Sequence, residues 1–335
     1  MLNIGIIGAG RIGKVHITSV SNLVKGARVK AIADVNMNED IVKWAAEFGI
    51  TECYDDYNVI LQDKNIDAVL ICSSTDTHSS ISVEAIKAGK HVFCEKPIDN
   101  TIEKIKSVIE ALEGSDVKFQ VGFVRRFDHN FEAVRNEVVK RTIGDTHIIK
   151  ITSRDPEAPP INYVKVSGGI FLDMTIHDFD MVRYLSGSEV EEVYVQSAVL
   201  VDKEIGEVGD VDTAIVTLKM TNGALAVIDN SRRAVYGYDQ RAEVFGSSGM
   251  VATCNDTNST AVISTANGVT GEKPLYFFLE RYMQAFAKEI QCFVDAIVND
   301  TETPVNVYDG LKAVLIGLAA KKSVELGRPV KVDQI

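Results

Sequence analysis

The pattern of apolar and polar positions changes about one third of the way along the chain. Before that point, short apolar runs alternate with segments that carry apolar residues at helical spacing. Such runs are typical of parallel strands, because these strands are buried on both faces. The predicted strands are Leu2–Ile7, Val29–Ala33, Ala68–Cys72, His91–Cys94 and Phe119–Phe123, and the predicted helices are Ile12–Val24, Asp40–Phe48, Ser79–Ala88 and Thr101–Leu112. Repeated β-α units predict a doubly wound parallel sheet of the Rossmann type.

After about residue 123 the strand-like segments alternate apolar and polar residues, which is typical of a half-exposed antiparallel sheet. Asn222-Gly223 and Ser247-Ser248-Gly249 are predicted turns. The predicted strands are Glu191–Val199, Asp212–Met220, Ala224–Asn230, Arg241–Gly246 and Ala261–Ser264, and the predicted helices are Asn130–Arg141, Phe171–Leu185, Leu279–Val298 and Asp309–Leu326. The predicted fold class is α/β, with a Rossmann domain over 1–123 and an α+β domain over 124–335 that contains a large, mostly antiparallel open sheet.

Composition narrows the class of protein. A chain of 335 residues is long enough for two domains, and a net charge of −12 argues against nucleic acid and anionic membrane surfaces as partners. No apolar run reaches the roughly 20 residues that span a bilayer. The five cysteines form no C-x-x-C pair, which predicts reduced thiols in a cytoplasmic protein, with Cys72 and Cys94 in the core. No cluster has metal-ligand spacing, so no metal is expected.

A G-x-G-x-x-G sequence, with Arg11 and Ile12 at its variable positions, stands between the first predicted strand and helix. Gly8 permits the tight turn, Gly10 lets the backbone approach a pyrophosphate, and Gly13 allows the helix to pack closely on the strand. The start of the helix then offers free N–H groups and a positive dipole end to the phosphates. The motif in this context predicts a dinucleotide site.

Asp34 ends the next predicted strand, about 20 residues beyond the last glycine of the motif, where an acid is expected to meet the adenosine ribose. A carboxylate there accepts hydrogen bonds from the ribose hydroxyls and repels a 2′-phosphate. The next residues, Val35 and Asn36, carry no positive charge that would neutralise such a phosphate. The cofactor is therefore predicted to be NAD rather than NADP.

A Rossmann domain alone does not establish redox chemistry. Glu95-Lys96-Pro97 follows a predicted strand at the edge where doubly wound sheets bind ligands. Lys96 can there hydrogen-bond a substrate hydroxyl and stabilise negative charge on its oxygen. Pro97 can support a cis bond that fixes the turn. In isolation, a surface lysine at a strand end explains Lys96 equally well.

Asp173 and His177 lie four residues apart in a segment with helical character, hence on one predicted helix face. A carboxylate beside an imidazole can orient the ring and stabilise its protonated form, which suits a general base for an alcohol proton. By itself this spacing is more often a surface ion pair than a catalytic pair.

The Rossmann motif, Glu95-Lys96-Pro97 and the segment from Gly168 to His177, in this order and spacing, resemble the glucose–fructose oxidoreductase/inositol dehydrogenase family. The resemblance covers essentially the whole chain. Four further segments look most like the inositol 2-dehydrogenases of that family: Val121–Asp128, Ser153–Pro156, Gly169–Leu185 and Tyr236–Asp239.

The resemblance implies roles for matched positions. His177 would be the base, Asp173 its partner, and Lys96 would assist at the hydroxyl. The implied cofactor contacts are Gly8, Gly10, Arg11, Ile12, Gly13, Asp34, Ser73, Thr75, His78, Glu95 and Lys96. For Thr75–His78, a helix N-cap at Asp76 or Thr77 is an equal alternative. The implied substrate contacts are Lys96, Arg126, Asp155, Asp173, Met174 or its neighbour Thr175, His177 and Tyr238.

One departure from the family concerns Met174, which stands where some inositol dehydrogenases have a threonine and which cannot donate a hydrogen bond to a hydroxyl. The expected reaction is NAD-dependent oxidation of myo-inositol to 2-keto-myo-inositol (scyllo-inosose). Alternatives are another cyclic polyol or sugar (scyllo-inositol, an inosose or an aldose), or a noncatalytic NAD-binding regulator. The resemblance also implies a homotetramer.

Overall fold

The computed structural model describes all residues from Met1 to Ile335, and these form two compact units. The first unit comprises 1–127 and 283–314, and the second comprises 128–282 and 315–335. No helix is both long enough and apolar enough to cross a membrane.

The first unit is built on a six-stranded parallel sheet in the order β3-β2-β1-β4-β5-β6. Its strands are β1 (Leu2–Ile7), β2 (Ala27–Ala33), β3 (Glu52–Tyr54), β4 (Ala68–Ile71), β5 (His91–Glu95) and β6 (Phe119–Gly122). Its helices are α1 (Arg11–Asn22), α2 (Glu39–Ala46), α3 (Asn58–Gln62), α4 (Thr75–Lys87) and α5 (Ile102–Leu112), and a short 3-10 helix follows at Val124–Phe127. The Rossmann prediction is confirmed. Only β3 and α3 were not predicted, because each is too short to show periodicity.

The second unit contains helices α6 (His129–Val139), α7 (Ile161–Ser167), α8 (Ile170–Asp173), α9 (Ile176–Ser186), α10 (Lys203–Glu207) and α11 (Phe278–Arg281). Its strands are β7 (Thr146–Arg154), β8 (Val190–Ala198), β9 (Thr213–Met220), β10 (Leu225–Ser231), β11 (Asp239–Gly246), β12 (Gly249–Ala252), β13 (Val262–Thr265) and β14 (Gly268–Gly271). The chain ends with α12 (Met283–Asn299), α13 (Val307–Leu326), the short strand β15 (Val330–Lys331) and a 3-10 turn at Val332–Gln334.

Seven strands of the second unit form one sheet in the order β12-β11-β7-β10-β9-β8-β15. All neighbours pair antiparallel except β7 and β10. The mostly antiparallel open sheet is therefore confirmed, as are the turns after β9 and β11, although β7 itself was not predicted. The predicted strand at 261–264 corresponds to β13, which pairs only with β14 in a separate ribbon.

Two differences from the sequence-based expectation bear on the candidate site. Residues 283–314, expected within the second domain, belong to the first unit, because Ile290, Phe293 and Val294 of α12 join the apolar core of the parallel sheet. The single helix predicted over 171–185 is interrupted at Met174 and Thr175, which separates α8 from α9.

Candidate active site

Close backbone contacts require two of the three glycines of the motif. Gly8 has φ +99°, and a Cβ on it would lie 2.6 Å from the backbone of Cys72 and Ser73. A Cβ on Gly13 would lie 1.9 Å from the carbonyl oxygen of Gly8. A Cβ on Gly10, in contrast, would meet nothing within 4 Å, so the backbone there stands open to a ligand.

Helix α1 starts immediately after this turn without a side-chain cap and with no acidic residue in its first turn. Its first N–H groups are thus offered to an anion, as a pyrophosphate requires. Arg11 is exposed at the first helical position, whereas Ile12 packs partly buried against the core.

Asp34 lies directly after β2 and is tied to the motif turn. Its Oδ2 accepts a hydrogen bond from the backbone N–H of Ala9 at 2.7 Å, and its Oδ1 accepts one from the N–H of Asn36 at 2.8 Å. Each carboxylate oxygen keeps a further lone pair for a ribose hydroxyl. The uncapped helix, the close glycine contacts and the anchored carboxylate together fit NAD.

Hydrogen bonds to other residues of the first unit hold the loop after β4 in place. Ser73 and Thr77 share a hydroxyl–hydroxyl hydrogen bond of 2.7 Å, and the buried ring of His78 lies 2.8 Å from the carbonyl oxygen of Pro97 and 3.1 Å from that of Ser73. His78 therefore joins this loop to the turn that contains Lys96. Helix α4 begins at Thr75 with Ser74 as its N-cap residue, so the alternative of a cap at Asp76 or Thr77 is wrong.

Lys96 is half-buried at the end of β5, and its bond to Pro97 is cis. The preceding Glu95 is 8% exposed, and its Oε1 lies 2.7 Å from His16 Nε2. Its carboxylate is thus engaged inside the sheet–helix core. The guanidinium of Arg126 donates to Asp309 Oδ1 at 2.9 Å within the same unit, so this predicted substrate contact already has one anionic partner.

In the second unit, the double glycine before α8 has a steric reason. Gly168 and Gly169 have φ values of +89° and +82°, and a Cβ on Gly169 would lie 2.8 Å from Asp210 Oδ1. The Asp210 carboxylate accepts the N–H of Ile170 through both oxygens, at 3.0 and 3.1 Å. The carboxylate thereby caps the start of α8, which ends at Asp173.

Asp173 is held by two residues that sequence reasoning missed. Its Oδ1 accepts a hydrogen bond from the Tyr163 hydroxyl at 2.8 Å, and its Oδ2 accepts one from Arg232 Nη2 at 2.9 Å. Arg232 also donates to Asp155 Oδ2 at 3.3 Å. One guanidinium therefore joins two predicted site residues, one expected in catalysis and one expected at the substrate.

Arg232 carries the one positive charge that the carboxylates of Asp173 and Asp155 share. Its side chain is 4% exposed, so burial opposes the charged form, but the carboxylates of Asp173 and Asp155 outweigh that effect and raise the pKa of Arg232. A charged residue two positions after the strand predicted over 224–230 was the only available signal in the sequence. Nothing local indicates a partner 59 residues away.

The break between α8 and α9 separates the two members of the predicted Asp–His pair. Asp173 is the last residue of α8 and His177 is the second of α9, whose N–H bonds to the carbonyl of Met174 at 3.3 Å. The two residues are therefore not on one continuous helix, which corrects the helical argument for their proximity. The buried hydroxyl of Thr175 at the break donates to Asn230 Oδ1 at 2.7 Å.

The two alternatives for a substrate contact at this position, Thr175 and Met174, differ in chemistry. Thr175 is fully buried and its hydroxyl donates to Asn230. Met174 is 4% exposed and offers only an apolar side chain. Tyr238 is 6% exposed and stacks edge-on against Tyr282, with 5.9 Å between ring centroids.

The five cysteines are all free, and Cys72 and Cys94 are buried as predicted. Burial raises the pKa of the thiols of Cys72 and Cys94. Both are therefore neutral, unreactive core residues.

Comparison with known proteins agrees with this description. Residues 2–123 match the oxidoreductase family with an NAD-binding Rossmann fold, and residues 131–252 match the GFO/IDH/MocA C-terminal domain. The chain is 48% identical to the myo-inositol 2-dehydrogenase of Thermotoga maritima, over 100% of this chain and 99% of that protein. It is 44% identical to the inositol 2-dehydrogenase of Rhizobium meliloti over 98% of each chain. The structure of scyllo-inositol dehydrogenase from Lactobacillus casei with NAD(H) and scyllo-inositol is similar, with a TM-score of 0.91 and 32% identity over 99% of each chain.

Proposed function

Because the chain belongs to the GFO/IDH/MocA family of NAD-binding oxidoreductases, we propose that it oxidises myo-inositol to 2-keto-myo-inositol (scyllo-inosose). The observation that carries the proposal is the Asp173 carboxylate, fixed by Tyr163 and Arg232 at the break before α9, four residues from His177. Full-length similarity to inositol 2-dehydrogenases supports the substrate class.

In this proposal His177 is the general base that takes the hydroxyl proton of the substrate. Loss of that proton lets the C–O bond become C=O as the carbinol C–H bond breaks. NAD⁺, when bound, supplies the acceptor for the hydride. Asp173 stabilises the imidazolium that results, and the ammonium of Lys96 donates a hydrogen bond to the substrate oxygen as negative charge develops there.

The remaining predicted substrate contacts would set the orientation of the ring. Asp155 accepts hydrogen bonds from hydroxyls, Arg126 donates them, and Tyr238 presents a phenol. Met174 contributes an apolar surface against a C–H face of the ring. Such a division between a few polar groups and an apolar wall is typical of small-molecule sites.

The test is NADH formation on mixing the protein with NAD⁺ and myo-inositol, followed by a panel of scyllo-inositol, inososes and aldoses with both NAD⁺ and NADP⁺. We expect turnover with NAD⁺ and myo-inositol, and replacement of His177 by Ala should lower kcat by about 10²-fold or more. A near-normal rate in that variant would remove His177 from the role of base. Cofactor binding without turnover on any member of the panel would favour a noncatalytic regulator.

A second candidate substrate is scyllo-inositol, because the similar Lactobacillus casei structure holds that compound. The two isomers differ in the configuration of one carbinol carbon, so the same three residues would serve both. The ratio of kcat/KM for the two compounds decides between them.

We also propose a homotetramer that works in inositol catabolism in the cytoplasm. The outward face of the large sheet exposes Ile148, Ile215, Leu225 and Phe245, an apolar set that a second copy could cover. Light scattering in solution should give the mass of four chains. A monomer at micromolar concentration would refute the assembly.

A further inference from the structure

Three ionisable side chains lie buried together in the first unit, beneath the turn that carries Lys96. They are His16 on α1, Glu95 at the end of β5 and Glu289 on α12, and a carboxylate oxygen of each glutamate and a ring nitrogen of His16 lie within 4.8 Å of one another. Their exposed fractions are 0%, 8% and 0%. We call this the buried triad.

The contacts inside the buried triad are incomplete. His16 Nε2 and Glu95 Oε1 are 2.7 Å apart, while His16 Nδ1 and both carboxylate oxygens of Glu289 have no hydrogen-bond partner. An ionised carboxylate buried without a partner is strongly unfavourable, so a protonated, neutral Glu289 is the form that this environment favours. Burial and the negative charge of Glu95 raise the pKa of Glu289 well above its ordinary value.

A proton fits this geometry better than a metal ion. Two ligands of one tetrahedral zinc, each about 2.0–2.1 Å from the metal, lie about 3.3 Å apart, whereas the nitrogen and oxygen here are at hydrogen-bond distance. Because Nδ1 of His16 has no partner, the neutral tautomer with its proton on Nε2 leaves no N–H of the ring unpaired, and Glu95 is the acceptor. The phenyl rings of Phe93 and Phe286 pack edge-on against His16 and keep the site apolar.

The buried triad connects the helix proposed to bind the pyrophosphate of the cofactor with the turn that carries Lys96. His16 lies three residues beyond Gly13 on the helix that would receive the pyrophosphate, and Glu95 immediately precedes Lys96. The second oxygen of Glu95 also accepts the backbone N–H of Lys96, at 3.3 Å. Glu95 is therefore the link between α1 and the backbone of Lys96, and its ionised carboxylate has lone pairs left for one more donor.

We propose that Glu289 is a positioning residue that acts as a neutral acid, donating its proton toward Glu95 and thereby fixing the His16–Glu95 link that orients the Lys96 turn relative to α1. The separation within 4.8 Å is one that rotation of the carboxyl group or a single bridging water can close. Burial and the negative charge of Glu95 both keep the neighbouring thiols of Cys72 and Cys94 neutral. This inference rests on the proposed role of Lys96 in the reaction.

The experiment compares two substitutions at one position in the full-length protein. Glu289→Gln keeps a neutral donor of similar shape, and we expect its kcat with NAD⁺ and inositol to stay within about twofold of wild type. Glu289→Met keeps the volume and removes the donor, and we expect kcat to fall about tenfold, because small misplacements of a catalytic group are costly. The KM for NAD⁺ should change little in either variant. Gln284→Met, an exposed polar position on the same helix, is the matched control and should behave like wild type.

Stability and kcat separate positioning from a merely structural role. Replacing a buried acid by an apolar side chain is often neutral or stabilising, so Glu289→Met should melt at or above the temperature of wild type while it turns over more slowly. Equal losses of kcat in the Gln and Met variants, or no loss in the Met variant, would overturn the proposal.

A second measurement does not depend on activity. The infrared difference spectrum between wild type and Glu289→Gln at neutral pH should show the C=O stretch of a protonated carboxylic acid, shifted by ¹³C-glutamate labelling. Absence of that band would overturn the proposal. Lys96→Ala is assayed in parallel: if that variant keeps full activity, the role of Lys96 fails, while the infrared result still tests the neutral state of Glu289.

Discussion

Removing the guanidinium of Arg232 tests how the candidate site is held together. Arg232→Met keeps an unbranched apolar stem but leaves the carboxylates of Asp173 and Asp155 without their shared cation. The Arg232 side chain is 4% exposed, and the side chains of Asp173 and Asp155 are 11% and 20% exposed. Breaking a buried ion pair by removing one partner costs about 3–5 kcal/mol.

The free energy of unfolding should fall by about 3 kcal/mol, at the lower end of that range. The contact to Asp155 is long at 3.3 Å, and both carboxylates are partly exposed to water. For a unit of this size class, about 2–4 °C of melting temperature corresponds to 1 kcal/mol, so Tm should fall by about 6–12 °C. Turnover should fall about 10–100-fold, because Asp173 loses the hydrogen bond from Arg232 that helps to hold its carboxylate in place. Arg232→Lys keeps the positive charge but not the planar guanidinium, so its melting temperature and turnover should lie between those of wild type and Arg232→Met.

The assays are urea unfolding followed by fluorescence and circular dichroism, and steady-state NADH formation. Arg233→Met is the matched control: this neighbouring arginine is exposed, and its replacement should change stability by less than about 0.5 kcal/mol. If Arg232→Met unfolded within 1 kcal/mol of wild type and turned over normally, the reasoning that Arg232 anchors Asp173 would be refuted.

Further predictions concern the motif turn, the thiols and acid stability. Gly13→Ala would place a Cβ 1.9 Å from a backbone oxygen, so NAD⁺ binding measured by calorimetry should be lost together with part of the thermal stability. With a thiol reagent, the exposed Cys254 should react in the native protein, whereas Cys72 and Cys94 should react only on unfolding; rapid native labelling of either buried thiol would contradict this. Burial opposes ionisation of Asp212, but three backbone N–H donors outweigh that effect and lower its pKa. Its stabilising contribution is therefore complete above about pH 4 and lost as pH falls below that value, so the stability gap between wild type and Asp212→Asn should shrink in acid.

Much of the first unit could be read from short stretches of sequence. Each parallel strand is a contiguous apolar run, and the phosphate-binding turn depends on residues within one strand–turn–helix segment. Local spacing is therefore sufficient to predict both from the sequence. The same holds for Asp34, whose position follows from the length of one β-α-β unit. By contrast, nothing in the sequence indicated that α12 belongs to this unit, because helical periodicity shows an apolar face but not the surface that it covers.

The Asp173–His177 segment shows where local reasoning fails. Their spacing of four predicts neighbours on one helix, yet the helix is interrupted at Met174 and Thr175, where the Thr175 hydroxyl bonds to Asn230 on a strand distant in sequence. No propensity or periodicity within the segment signals this break or the buried contact beside it.

By itself the sequence determined the Rossmann domain, the NAD-type motif and the residue types available for alcohol oxidation, since each depends on local spacing or on the identity of one side chain. Only the tertiary structure decided what holds those side chains. Arg232 reaches Asp173 across 59 residues and His16 reaches Glu95 across 79. The physical reason is burial: a charged group removed from water must find its partner in space, and the fold, not the order of residues, selects which partner is near.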